Sequence, residues 1–541
     1  MQHRLTWFLG LALLLGSCQD KASKTAPTDE RPNIIIILAD DMGYSDLGCM
    51  GSEINTPTLD RLAGNGMLMT QFYNAGRCCP TRASLLTGLY PHQAGMGSMT
   101  YNLPEIPSYQ GYLNQNCVTI AEALGGAGYT TLMSGKWHLG DHRPHWPGDR
   151  GFDQYFSFIN GATSYYNLDQ YRPGRAPLEM TLNGEPYTPG EGFYMTDAIS
   201  DYATQFIQEQ KDSTAPFFLY MAYTAPHWPL RAPESKITKY RNKYKSAWAK
   251  IQQHRSERML ELGIIDSAWA LSPAFPDPKK VPDWETLSEE EQDLWDLRMA
   301  TYAAMIDRMD QGIGKVVQQL EAQGELENTL IVFLSDNGGC HEEVYNWNIA
   351  YDQSGKTGGP NSFDAYGFAW ANVSNTPFQL FKSLTMEGGI STPLIAHFPK
   401  MIEGGQQNHA TGHVTDLMPT CLDLANATYP EEFQGNAITP TPGKSLVPVF
   451  REQQQTHRDL IYWEHNDSKA IRKGDWKLVL PAWGGPEDWA LYNLKTDRTE
   501  LNDLSKQQPE KVEEMRLAFE SWADSVGVMP WPEVNEIRKN R

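Results

Sequence analysis

What constrains this chain most is a set of short apolar runs that each stop at a cluster of polar residues. "PNIIIILADD" is a continuous β-branched run closing on Asp40 and Asp41. Such a run marks a strand buried on both faces of a parallel sheet, since a half-solvated strand would alternate. "YTTLMSGKWHLG" reaches Lys136 and His138, "PFFLYMAYTAPHWP" reaches His227, and "NTLIVFLSDNGG" reaches Asp336 and Asn337. Helical segments lie between them. "TPTLDRLAGNG" has Thr56 as its cap and Pro57 at the first position, and "YAAMIDRMDQGIGKVVQQLEAQG" is apolar at helical spacing. Alternating buried strands and helices predict an α/β fold, a mostly parallel sheet flanked by helices. Ligands of such folds bind beyond the carboxyl ends of the strands. All four polar clusters are therefore expected in one site.

A chain of 541 residues exceeds what one core usually supports, so a second, smaller domain is expected. The texture changes after Thr439. "DLIYWEHNDSKAIRKGDWKLVL" alternates like antiparallel strands and "PEKVEEMRLAFESWADSV" is an amphipathic helix. The expected division is a catalytic domain over 32–439 and a C-terminal α+β subdomain over 440–541. The charged, Trp-containing stretch from Arg231 to Asp293 reads as a helical insertion near the site entrance. At the N-terminus, Arg4 precedes the apolar run "LTWFLGLALLLG", too short for a membrane span. The run ends in "LGSC", which resembles a bacterial lipobox. That resemblance implies a signal peptide over 1–17, cleavage before Cys18 and lipidation of its thiol. A polar tether over 18–31 follows. The expected location is the outer membrane, periplasm or surface of a Gram-negative bacterium, with the membrane touched only through the lipid.

The 66 acidic and 45 basic residues give a net charge of −21, which argues against nucleic acid as a partner. An anionic substrate would need a local positive field. Asp40, Asp41, Asp336 and Asn337 form an all-oxygen set suited to calcium or magnesium rather than zinc. The same residues also serve as turn and cap residues after strands. Besides Cys18 there are six cysteines, Cys49, Cys78, Cys79, Cys117, Cys340 and Cys421, too scattered to read as a disulfide framework.

Cys78 opens "CCPTRASLLTG", and this arrangement resembles the signature of the formylglycine-dependent sulfatases: Cys or Ser, any residue, Pro, any residue, Arg, then Leu-x-Thr-Gly. Only Cys78 has the right spacing to Pro80 and Arg82. Thr81 stands where the family usually has Ser, and Cys79 fills an open position. The resemblance runs from about Arg31 to Leu504. It includes "GFDQYFSF", "YAAMIDRMD", "HVTDLMPTCLDLA", "RKGDWKLV" and "LYNLKTDRTELNDL". "WANVSNTPFQLFKSLTMEGGISTPLIAHFP" is similar to the bacterial arylsulfatase branch.

The resemblance implies an alkaline-phosphatase-like fold and a sulfuric ester hydrolase. Cys78 would be oxidised to formylglycine by a maturation enzyme. Its hydrated aldehyde would attack sulfur with one hydroxyl, and the second would then expel sulfate and restore the aldehyde. One calcium ion would be held by Asp40, Asp41, Asp336, Asn337 and the oxygen at Cys78. Arg82 would reach both nucleophile and carboxylates. Lys136 and Lys382 would grip sulfate oxygens, His138 would act as base, and His227 would face the leaving group. The substrate class is a sulfated glycan or aryl sulfate. Competing readings are a formylglycine-dependent phosphonate or phosphodiester hydrolase, and a sulfoglycan-binding protein whose Cys78 is never oxidised. His92 is expected to line the pocket or cap a helix. Cys340 is expected either just behind the metal-binding residues or as packing, not as a ligand, and Glu464 and His465 at the pocket rim. Cys79 is expected to be dispensable.

Overall fold

A computed structural model describes residues 30–168, 170, 177–347, 355–455 and 457–540. The expected signal segment, Cys18 and all of the tether before Glu30 lie outside the described residues. Among the described residues no helix is long and apolar enough to cross a membrane.

The large domain is built on one sheet. Its strands are β1 (Asn33–Asp40), β2 (Met67–Tyr73), β3 (Thr130–Lys136), β4 (Gln154–Phe158), β5 (Met180–Leu182), β6 (Glu185–Pro186), β7 (Phe217–Pro226), β8 (Thr329–Ser335), β9 (Ser391–His397), β10 (Gln406–Asn408) and β11 (Gly412–His413). They lie in the order β10-β2-β9-β8-β1-β7-β3-β4-β5-β6, with β11 beside β2. β1 pairs parallel with β7 and β8, and β3 parallel with β4 and β7. β9 runs antiparallel to both its neighbours. The mostly parallel sheet expected from the apolar runs is present.

β1 shows why its sequence does not alternate. Ile35, Ile37 and Ala39 enter the core on one face, while Ile34, Ile36 and Leu38 enter the core on the other. Both faces are covered by helices, so every position of the strand is apolar until Asp40. The Glu289–Gln323 helix covers one side and starts with a capping box at Ser288 and Glu291. Pro57 does open a helix, but the Thr56 side chain does not cap it. Asp310 of the long helix accepts the Thr58 and Leu59 amides instead, at 3.0 and 2.8 Å.

After a short ribbon, β12 (Glu432–Phe433) and β13 (Asn436–Ala437), come β14 (Leu460–His465), β15 (Ser468–Lys473), β16 (Trp476–Leu480) and β17 (Ala490–Asn493). These last four form an antiparallel sheet. Ile471, Leu478 and Leu491 of this sheet pack on Met515, Phe519 and Trp522 of the Pro509–Val526 helix. The residues between Thr439 and Leu460 still belong to the large domain's packing, because Val447, Val449 and Phe450 lie in its core. The two units meet through buried charge. Lys477 Nζ sits 3.0 Å from Glu387 Oε1 and 2.8 Å from Glu500 Oε1, and Arg498 Nε donates to Glu387 Oε2 at 2.9 Å.

The stretch from Arg231 to Asp293 corrects an expectation. It lines no part of the site pocket described below. Its tryptophans are structural: Trp248 packs edge-on against Trp284, Trp295 and Trp370. Arg255 is buried against Asp46 and Glu53.

His413 is buried, with Nδ1 2.9 Å from Thr415 Oγ1. Burial, aided by Arg458, lowers its pKa to about 3. In the unfolded chain an imidazole titrates near about 6.5. Below that pH the unfolded chain binds more protons, so stability present above about pH 6.5 is lost as pH falls towards 3. The His413→Asn variant is expected to flatten this acid limb by up to about 1.4 kcal/mol per pH unit. Thermal melts between about pH 7.5 and pH 5 check this; an unchanged slope would refute it.

Candidate active site

The carboxyl ends of β1, β3, β7 and β8 converge, as the strand-end clusters predicted. Asp40 closes β1, and Asp41 follows at φ 69°, a left-handed conformation that Asp tolerates better than most residues. The Asp41 amide donates to Asp336 Oδ1 at 3.1 Å, which ties the end of β1 to the turn after β8. Asn337 Nδ2 donates to Asp41 Oδ1 at 2.8 Å.

Three buried cations answer these three carboxylates. Lys136 Nζ lies 2.7 Å from Asp40 Oδ2, and Lys382 Nζ lies 2.7 Å from Asp41 Oδ2. Arg82 donates to Asp336 Oδ2 through Nε and Nη2 at 3.2 and 2.8 Å, and to the Lys136 carbonyl at 3.1 Å. All six side chains are at most 1% exposed. Burial pushes the Asp40 carboxyl well up, and Lys136 opposes it.

Two oxygens of the set, Asp40 Oδ1 and Asn337 Oδ1, are buried without a hydrogen-bond partner. A buried carboxylate oxygen left unpaired is costly, so this arrangement fits a cation that would satisfy both. Asp40, Asp41 and His227 offer atoms within 4.8 Å of one another. His227 suits a neighbouring role better than a ligand role, because a set this rich in oxygen favours a hard ion. Asp336 keeps both oxygens engaged by Arg82 and the Asp41 amide.

Cys78 is the first residue of the Cys78–Thr87 helix, every residue of which is buried. A helix N-terminus favours negative charge, and the nearby groups act the same way. A hydrogen bond from the Cys79 thiol, with Lys136, Lys382 and a bond to His138, holds the Cys78 thiol well below its ordinary range despite burial. His138 stands at φ 58°, and burial with Lys136 lowers its pKa to about 4. Its ring lies against Gly161, where an added Cβ would come within 2.5 Å of Nε2. His227 Nδ1 is 2.6 Å from the Trp228 carbonyl; a carbonyl only accepts, so Nδ1 carries the proton. Nε2 then faces Asp41 Oδ2 at 3.4 Å. Burial lowers the His227 pKa to about 3.

Above these groups opens a cavity of about 340 Å³, with Cys78, His138 and His227 in its lining. The rim includes Tyr101, Asn102, Asn160, Gln170, Glu179 and Trp228. Arg77 lies in the cavity wall with Cys78. Neither Arg77 nor Glu342, which pairs with it, was singled out from the sequence. The cue was thin: Arg77 only precedes the cysteine motif, and Glu342 sits a few residues past "SDNGG".

His92 departs from both of its expected roles. Its Nε2 lies 2.8 Å from Glu464 Oε2 and 3.1 Å from Tyr109 OH, so it fastens the C-terminal subdomain to the large domain. Glu464 is therefore an interface residue rather than part of the pocket lining. His465 is buried and also outside that lining, although Arg77 and Cys78 influence its titration. Cys340 donates to Glu342 Oε2 at 3.4 Å and packs, as expected. All six cysteines among the described residues are free thiols.

Comparison with known proteins gives the geometry its context. A family model described as Sulfatase matches residues 32–427, and one described as N-sulphoglucosamine sulphohydrolase, C-terminal, matches 378–521. An arylsulfatase of Klebsiella aerogenes is 35% identical, over 80% of this chain and 95% of its own length. An uncharacterized sulfatase of Schizosaccharomyces pombe is 33% identical, over 93% of this chain and 95% of its own length. Among solved structures, Ps i-CgsB in complex with k-i-k-neocarrahexaose is 29% identical. It aligns at a TM-score of 0.66 over 93% of this chain and 94% of that one. A strand-end site of paired acids and lysines, a cysteine opening a buried helix, and a family match across most of the length agree. The chain belongs to the sulfatase family and is a sulfuric ester hydrolase.

Proposed function

We propose that the protein removes sulfate from a sulfated glycan, with Cys78 converted to formylglycine and one calcium ion held by Asp40, Asp41, Asp336 and Asn337. The carrying observation is that Cys78 opens its helix beside three buried cations and two partnerless buried oxygens. Calcium would supply charge screening for a sulfate oxygen and for the nucleophilic oxygen at position 78. Each side chain then has a task that its position supports. Arg82 fixes Asp336 and the end of β3, so the acids cannot rotate away. Lys136 and Lys382 offer ammonium groups to the charge that builds on sulfate oxygens. His138, largely neutral above its lowered pKa, can take a proton from the group at position 78. His227, held at Nδ1 by the Trp228 carbonyl, lines the pocket and, once doubly protonated, would donate from Nε2 to the leaving oxygen.

Cys78 is 2% exposed and Cys79 fully buried, so an enzyme could reach this sulfur only before folding. That supports maturation on the unfolded chain. The rim of aromatic and amide side chains suits a sugar ring, which stacks on aromatic faces and hydrogen-bonds laterally. Relatives support the same class: one is named N-acetylgalactosamine-6-sulfatase, and Ps i-CgsB was solved in complex with k-i-k-neocarrahexaose. The "LGSC" sequence supports export and a lipid anchor at Cys18.

Mass spectrometry of the Cys78–Arg82 peptide, with the aldehyde trapped by a hydrazide, tests the nucleophile. The matured protein should release sulfate from aryl sulfates and sulfated glycans, and at least about 100-fold more slowly cleave a matched phosphodiester. An unmodified thiol in fully active protein would refute the proposed nucleophile, and dominant phosphodiester turnover the proposed reaction.

A further inference from the structure

Glu342 is a half-buried acid beside the site, its side chain 17% exposed, that the steps above leave without a task. Its Oε1 accepts from Arg77 Nη1 and Nη2 at 3.3 and 3.2 Å. Its Oε2 accepts from Trp228 Nε1 at 2.7 Å and from the Cys340 thiol at 3.4 Å, and lies 3.9 Å from Lys382 Nζ. One carboxylate thus ties the turn before the nucleophile helix to the turn after β7 and to the Lys382 loop. The third tie is doubled, since Arg77 Nη1 donates to Ser383 Oγ at 2.5 Å and the Ser383 amide donates to the Gly76 carbonyl at 2.7 Å.

Trp228 is the informative partner. Its indole N–H is anchored on Glu342, and its carbonyl receives the Nδ1 proton of His227. The two rings also touch, with centroids 4.5 Å apart. Loss of the indole bond would remove the polar anchor of the residue whose carbonyl holds His227, leaving the Trp228 ring to its packing on Trp347 and Phe363. Nothing else among the described contacts of His227 holds its Nδ1 side.

We propose that Glu342 is a positioning residue for leaving-group departure, acting through Trp228 to keep His227 Nε2 facing the substrate oxygen. This rests on the reading above that His227 serves the leaving group. Nucleophile and sulfate grip are served by other side chains, so loss of Glu342 should fall hardest on esters whose alcohol leaves poorly.

The test compares the matured wild type with Glu342→Ala, Glu342→Gln and His227→Ala on sulfate esters running from nitrophenol to simple alcohols. Glu342→Ala should lose about 3- to 10-fold in kcat on the activated aryl ester but about 100-fold on the alkyl ester, matching the trend of His227→Ala. Glu342→Gln keeps an oxygen able to accept from the indole and should recover most of the alkyl-ester loss. A merely structural role would lower both substrates alike and would not be relieved selectively by glutamine. A leaving-group effect in His227→Ala but not in Glu342→Ala overturns the inference and spares the reading of His227. No such effect in either variant overturns both, while the aldehyde at Cys78 is scored independently.

Discussion

Replacing Cys78 by alanine is expected to lower kcat/KM by about 10,000-fold or more, while Cys79→Ala keeps activity within about threefold. The two sulfurs are neighbours on one helix, so the contrast rests on their surroundings. Cys78 opens the helix next to Lys136, Lys382 and His138 and lines the pocket. Cys79 is fully buried in the apolar core with Leu85, Leu86 and Trp137, and burial pushes its thiol well up. Its polar contact is a hydrogen bond to the Cys78 thiol, a group on which Lys136, Lys382 and His138 also act. Trimming Cys79 leaves a small void, which costs about 1 kcal/mol of stability and no chemistry. Steady-state kinetics and thermal melts on both variants decide it. An inactive, well-folded Cys79→Ala would mean that the neighbouring sulfur has a role in the mature site.

The sheet was legible because two-sided burial leaves a plain mark. "IIIIL" can be apolar throughout only if both faces of β1 are covered, and the polar residues that end such runs must then lie at one edge. Asp40, Asp41, Lys136, His138, His227, Asp336 and Asn337 were found this way. Lys382 was found only through family likeness, because it follows no strand; it sits in a loop held by the Gly339 carbonyl and Arg77. Arg77 and Glu342 escaped because their meaning lies in a pairing 265 residues apart. His92 departs from expectation for a similar reason. A histidine just past the Cys78–Thr87 helix is close to the site in sequence, yet its partner Glu464 belongs to the other domain, 372 residues on. The 231–293 stretch was misplaced because charge and tryptophan look alike at a rim and at a helix contact.

The charge balance resolves a conflict in the composition. A chain with a net charge of −21 repels anions at long range. At Debye lengths of about 8 Å in physiological salt, that repulsion fades before it reaches a buried site. Inside, the three carboxylates are already matched by Arg82, Lys136 and Lys382, and Arg77 is paired with Glu342. A dication added there leaves two positive charges, enough to meet one sulfate ester and one developing oxyanion.

Removing one acid from that balance gives the second large effect. Calcium at 100 times its dissociation constant should stabilise the wild type by about 2.7 kcal/mol. Unfolding entropy of about 2.1 cal/mol/K per residue turns this into a rise of about 2–3 °C in Tm for a chain of 541 residues. The Asp40→Asn variant should show a rise below about 1 °C and lose at least about 1,000-fold in kcat. Asp40 is the decisive choice because its two oxygens face different partners. Oδ2 takes the Lys136 ammonium at 2.7 Å, whereas Oδ1 is buried with no partner and is the atom a cation would satisfy. An asparagine keeps the shape and one oxygen but removes the charge, leaving Arg82, Lys136 and Lys382 opposed by only Asp41 and Asp336. Melting curves in calcium, magnesium and chelator separate ion binding from general screening. A full calcium shift in Asp40→Asn would show that the ion is held elsewhere, and the two partnerless oxygens would need another explanation.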